Sequence, residues 1–224
     1  MTSASATRRE SRCLARIALA AAIALPALPG SGALAFDLQG HRGTRGLAPE
    51  NTMTAFARAQ AIGVTTLETD LAVTRDGVLV ISHDTFLNPD LVRGPDGRWL
   101  AAKGPPIRTL TLAELKQYDI GRLNPESAYA KQFPEQQPRD GERFPALSEL
   151  IAFVQASGKP LRLNLETKIT PTQPDDTVDA ETFARLVVDA IKNAGLAQRA
   201  TIQSFDWQRW CRRRSSRRRS KRCA

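Results

Sequence analysis

The chain has 224 residues, 42% of them hydrophobic, which suits one domain with a packed core and excludes a disordered chain. Its net charge of +9 invites a nucleic-acid or membrane partner, but of the 32 basic residues nine lie between Arg209 and Ala224 and four within the first twenty. Those ends hold only one of the 23 acids, so the middle, with nineteen bases and twenty-two acids, is slightly acidic.

At the N-terminus, arginines precede an apolar run from Ile17 to Leu28, and Ala33-Leu34-Ala35 is a small-residue cleavage pattern before Phe36. The run is short for a span of roughly 20 residues and is broken by Pro26 and Pro29. Residues 1–35 therefore read as a signal peptide and the mature chain as exported, periplasmic or secreted. Cys13 would leave with the signal, and Cys211 and Cys223 lie in the basic tail. The domain between has no cysteine, so it depends on its core and not on disulfides or thiolate-bound zinc.

Five segments carry strand patterns: Phe36 to Gly40, Thr65 to Val73, Val78 to Ser82, Leu161 to Leu165 and Ala200 to Phe205. Helical periodicity lies between them. Asn51 to Ile62 puts Met53, Phe56 and Ala57 on one face and stops at Gly63. Thr111 and Glu114 have capping-box spacing. Leu147, Leu150, Ile151 and Val154 follow the helical rule before Gly158, as do Phe183, Leu186, Val187 and Ile191 before Gly195. Strands alternating with helices predict an α/β domain with a parallel sheet. Residues 88–108 and 124–143, rich in Gly, Pro and charge, read as loop insertions that shape a site. From Trp207 the periodicity stops, and 207–224 is a basic low-complexity tail.

The chemistry-bearing residues gather at predicted strand ends. Glu68 and Asp70 are two apart in a β-branched run, so they share one face. Burying carboxylates is costly unless bases or a cation neutralise them. Glu166 and Lys168 repeat the spacing after Leu165, either as a plain salt bridge or as a third carboxylate beside a cation for an anionic substrate. Three carboxylates from two strands suit a hard divalent ion, Ca²⁺ or Mg²⁺. The chain's two histidines, His41 and His83, each follow a predicted strand, the position where parallel barrels place chemistry. Imidazoles there suit acid–base work near neutral pH, and Arg42 adds a planar donor for phosphate.

The ordered set His41-Arg42-Gly43, Pro49-Glu50-Asn51-Thr52, Glu68-Thr69-Asp70, His83-Asp84 and Glu166-Thr167-Lys168 resembles the glycerophosphodiester phosphodiesterase family, from about Phe36 to Asp206. The resemblance implies a TIM-type (β/α)8 barrel and metal-assisted hydrolysis of a glycerophosphodiester to glycerol 3-phosphate and an alcohol. It implies Glu68, Asp70 and Glu166 as metal ligands, His41 and His83 as acid and base, and Arg42 and Lys168 as phosphate ligands. Glu50 is expected to order its loop. A full barrel takes roughly 250 residues, so the barrel is expected to be incomplete, lacking its C-terminal strands and helices. Out-of-frame reading would explain the tail, and nucleotide sequencing of the locus tests it. Exposed inner strand faces would then make the chain poorly soluble or oligomeric, and the chain inactive if the missing half is needed. The alternatives are a sphingomyelinase D-like or lysophospholipase D enzyme, and a non-enzymatic binder of nucleic acid or anionic membrane through the basic tail.

Overall fold

The computed structural model describes residues 36–169 and 174–205. The expected signal peptide, Asp206, the tail 207–224 and all three cysteines lie outside the described residues. Phe36 ends one unit, Met1–Phe36, and all the described elements belong to the unit that begins at Asp37.

The elements run β1 (Gln39–Gly40), α1 (Met53–Ile62), β2 (Thr66–Val73), β3 (Leu79–Ile81), α2 (Leu112–Leu115), α3 (Leu147–Ala156), β4 (Arg162–Thr167), α4 (Ala180–Asn193) and β5 (Ala200–Gln203). β1, β2, β4 and β5 lie side by side, each parallel to the next. Helices α1, α3 and α4 fall between strands in the chain and pack on one face of the sheet. Phe56, Leu67, Leu71, Leu150, Leu163, Leu165, Phe183 and Val187 are fully or almost fully buried in one cluster there. This is the architecture of an incomplete TIM-type barrel; among the described residues the sheet does not close.

The helix boundaries follow local chemistry. Thr52 caps α1 by accepting the Ala55 N–H at 3.1 Å, and Gly63, at φ +97°, ends it by donating to the carbonyls of Ala59 and Gln60. The Thr111–Glu114 capping box forms as expected at α2. The apolar stripe of α1 differs from expectation: Ala55, Phe56 and Ala59 are buried and Ala57 is exposed, so the face turned to the sheet lies to one side of the predicted one.

One strand departs from the parallel expectation. β3 is antiparallel to β2, pairing Leu71 with Ile81 and Val73 with Leu79. Asp76-Gly77 makes the intervening turn, with Gly77 at φ +78° and the Thr74 N–H bonded to the Val78 carbonyl at 3.0 Å. Because β4 fills one edge of β2, β1 and β3 divide the other edge. β1 takes the Thr66–Leu67 end and β3 the Leu71–Val73 end. A gap remains between them, beside Glu68, Thr69 and Asp70.

Both expected insertions are irregular; 124–143 is mostly exposed, whereas 88–108 is anchored by the buried side chains of Val92 and Ile107. Val80, Leu87, Val92, Ile107, Leu115, Ile120 and Phe144 are buried together in a second cluster with Ala72 of β2. On the sheet face away from the helices, polar residues dominate. Asn164 donates to Gln39 and Gln203 at 3.1 Å each, linking β1, β4 and β5 by amides. The exposed inner surface feared for an open barrel is therefore largely polar at these strands. Among the described residues no helix is long and apolar enough to cross a membrane.

Candidate active site

The gap in the edge of β2 collects the site. The chain leaves β1 through a tight turn in which the Gly43 N–H bonds to the carbonyls of Gly40 and Glu68 at 3.2 and 3.3 Å. Glycine is required at both ends of the turn: a Cβ on Gly40 would sit 2.4 Å from the Gly43 carbonyl oxygen, and one on Gly43 2.7 Å from Ala55 Cβ. Arg42, between them, adopts φ +50°. From the other side, the Ser82 N–H bonds to the Asp70 carbonyl at 3.0 Å and delivers His83. His83 thus enters the gap beside Asp70 on an antiparallel strand, not at the end of a parallel one as the sequence suggested. Both histidines line one cleft of about 440 Å³ with Arg42, Glu68, Glu166 and Lys168.

Asp70 and Glu166 are register partners across β2 and β4, and Glu68 shares their face. Carboxylate oxygens of the three come within 4.8 Å of one another, and all three residues are buried. Lys168 Nζ lies 2.6 Å from Glu166 Oε1 and 3.2 Å from Asp70 Oδ1, so the salt-bridge reading of Glu166 and Lys168 holds alongside the cluster. One ammonium does not balance three carboxylates. Burial, aided by the charges of Asp70 and Glu166, pushes Glu68 up to about 7, although the Arg42 N–H donates to it at 2.7 Å. An under-neutralised, all-oxygen donor set of this kind fits a hard divalent cation, and Glu68, Asp70 and Glu166 are the residues that can hold it.

His41 Nε2 lies 3.8 Å from Glu68 Oε2, and its side chain is 54% exposed. Partial burial holds its pKa below the ordinary histidine value, with the charges of Arg45 and Arg42 adding to the effect and Asp70 opposing it. His83 Nδ1 lies 3.1 Å from Asp84 Oδ1, and Asn88 donates to the other Asp84 oxygen at 2.7 Å. Burial works to raise the Asp84 pKa, but the hydrogen bonds from His83 and Asn88 hold it below the ordinary carboxylate value. An ionised Asp84 accepts only, so the proton is assigned to Nδ1 and Nε2 is left for proton transfer.

Arg42 reaches the cleft already paired. Nη1 donates to Glu50 Oε1 at 2.7 Å, and Nε lies 3.4 Å from Asp70 Oδ2. The Pro49-to-Thr52 motif divides its work. Glu50 holds Arg42, Thr52 caps α1, and Asn51 donates to Asp70 Oδ2 at 3.1 Å while accepting from the Thr69 hydroxyl at 2.9 Å. Sequence reasoning gave no role to Asn51, Asp84, Tyr129 or Gln203. Asn51 and Asp84 sat inside motifs already singled out, which was a usable signal. Gln203 donates to Glu166 Oε2 at 3.3 Å, and Tyr129 donates to Glu50 from 79 residues away. No local pattern marks Tyr129.

Comparison with known proteins places this site in a lineage. Residues 41–221 match the Glycerophosphoryl diester phosphodiesterase family, a match that runs beyond Asp206. A Bacillus subtilis protein, YqiK, is 46% identical over 166 residues, covering 74% of this chain and 56% of that one. A glycerophosphodiester phosphodiesterase of Caldanaerobacter subterraneus is 29% identical over 166 residues, with the same coverage. Among solved structures, a Silicibacter pomeroyi protein assigned to the glycerophosphoryl diester phosphodiesterases superposes with a TM-score of 0.72 at 33% identity, over 80% of this chain and 61% of that one. An Oleispira antarctica phosphodiesterase in complex with the product sn-glycerol-3-phosphate gives 0.54 at 28% identity, over 77% and 58%. The chain spans about half the length of these curated relatives, 56% in both. On the extent of these matches, the chain belongs to the glycerophosphoryl diester phosphodiesterase family.

Proposed function

We propose that the chain hydrolyses glycerophosphodiesters to sn-glycerol 3-phosphate and an alcohol. The observation that carries this reading is the convergence of two histidines, two cations and the carboxylates of Glu68 and Glu166 on one cleft, with buried Asp70 clustered against those carboxylates. A cation held by Glu68, Asp70 and Glu166, Ca²⁺ or Mg²⁺, would supply charge neutralisation for the phosphoryl oxygens. Arg42 and Lys168 bind the anionic diester, with Lys168 moving from carboxylate to phosphate. One histidine takes a proton from the attacking water while the other gives one to the leaving alcohol. Asp84 fixes the His83 ring, and the lowered pKa of His41 favours its neutral, proton-accepting form. The chain is exported through residues 1–35; a mature N-terminus at Phe36 in the extracytoplasmic fraction tests that.

The test of function uses the purified, folded chain with glycerophosphocholine and added Ca²⁺ or Mg²⁺. Glycerol 3-phosphate should be released, and the rate should fall by about 10²- to 10⁴-fold in His41→Ala, the usual size of a lost acid–base group. Chelation should abolish it. A folded, metal-supplemented chain that releases no glycerol 3-phosphate overturns the reading. Choline release from lysophosphatidylcholine or phosphocholine ceramide in its place would identify a phospholipase D-like enzyme.

A further inference from the structure

The irregular segment 124–143 is fastened to the loop between β1 and α1. Gln136 donates to the Arg45 carbonyl at 2.6 Å, and the Gln137 N–H donates to the Leu47 carbonyl at 3.0 Å. The Arg45 guanidinium lies 5.2 Å from the centre of the Phe133 ring, which packs edge-on against Tyr129 at 5.1 Å. At the inner end of this contact, Tyr129 donates to Glu50 Oε2 while Arg42 donates to Glu50 Oε1. Arg42 Nη1 also lies 3.4 Å from the Tyr129 oxygen. Both oxygens of a buried carboxylate are thereby spoken for, one by the cleft and one by the insertion. Burial first, and then Glu50, pushes the Tyr129 phenol above its ordinary pKa, so it remains a donor throughout the neutral range.

We propose that Tyr129 is a positioning residue for Arg42: by fixing Glu50 it holds the guanidinium in the orientation that receives the phosphate, and it makes segment 124–143 part of the substrate site. The proposal rests on the phosphodiester reading for its consequence in catalysis, though not for the restraint on Arg42. A free Glu50 carboxylate would rotate and carry the guanidinium with it. A Tyr129-fastened one presents a fixed fork, which is what recognition of a phosphate by arginine requires.

The experiment compares the full chain with Tyr129→Phe, which removes one hydroxyl and keeps the Phe133 contact. Guanidinium NMR reads rotation about the Arg42 Nε–Cζ bond, with the signal assigned by its loss in Arg42→Lys. Rotation should be slow in the parent and several-fold faster in Tyr129→Phe. KM for glycerophosphocholine should rise about fivefold, the size of one hydrogen bond, with kcat changed less than about twofold. In the Arg42→Lys background, Tyr129→Phe should have no further effect. If the parent neither turns over nor binds sn-glycerol 3-phosphate, the phosphodiester reading falls and rotation alone decides the positioning claim. Unchanged Arg42 rotation in a folded Tyr129→Phe chain, or a full KM effect that persists in Arg42→Lys, overturns it.

Discussion

The parallel sheet with its three helices and the irregular segment from Ser82 to Ala146 are built on opposite plans. The sheet gains its order from periodic burial: every residue of β2 is buried, with alternate side chains facing the helices. The segment has one four-residue α-helix, and the six residues it gives to the second buried cluster are surrounded by turns and side-chain hydrogen bonds. The sheet supplies Glu68, Asp70, Glu166 and Lys168. The segment supplies His83 and Asp84, and reaches Arg42 through Tyr129. The difference teaches that the three clustered carboxylates sit where the backbone ladder fixes them, while Arg42 is held by side-chain contacts that reach as far as 87 positions along the chain.

The contrast can be broken at several levels. The largest effect is expected in the sheet core. Leu165→Ala removes a fully buried side chain between β4 and the helices and should cost about 2–5 kcal/mol in denaturant unfolding. Ile107→Ala, equally buried in the second cluster, should cost about 2–3 kcal/mol, the lower part of the same range, because irregular surroundings relax around a cavity. It should also open 82–146 to proteolysis while β2 and β4 amides stay protected from exchange. Equal loss of protection in both regions would show that they unfold as one. Asn51→Ala frees Asp70 and Thr69 from their shared partner; it should cost about 1–3 kcal/mol and weaken Ca²⁺ or Mg²⁺ binding about 10- to 100-fold in calorimetry.

The smallest effect belongs to the surface network of the segment. Arg122 holds Asp140 at 2.8 and 2.9 Å, with Arg93 on the same carboxylate, and together they lower its pKa to about 2. A depressed carboxylate stabilises the fold above its ordinary pKa of 3.8, and this contribution is lost as pH falls from there toward 2. Asp140 is largely solvated, so Asp140→Asn should remove no more than about 0.5 kcal/mol, and only the acid limb of a stability–pH curve should flatten.

The two regions were also unequally legible. β2 and β4 announced themselves by β-branched content and alternation, and i, i+2 spacing correctly put Glu68 with Asp70. The helices were legible because Thr52, Gly63 and the Thr111–Glu114 pair are local signals. β3 was misread as parallel because three apolar residues look alike in either direction. Asp76-Gly77 between two apolar runs carries the hairpin signature and would have corrected it. Ala57 was placed on the buried face because alanine reports little about its surroundings. The joining of Tyr129 to Glu50 and Arg42 spans up to 87 positions, and no window of sequence encodes such a contact.

The division of one edge of β2 between β1 and β3 also decides which changes of length the site tolerates. Residues added to the far ends of α1, α3 or α4 lengthen a helix and leave the registers of β2 and β4 untouched. The Asp76-Gly77 turn has no such slack. One residue inserted there shifts β3 by one step along β2, which turns each of its side chains to the opposite face and carries His83 out of the cleft. The three-residue loop 75–77 on the far side of a hairpin thus acts as the ruler for the distance between the two histidines.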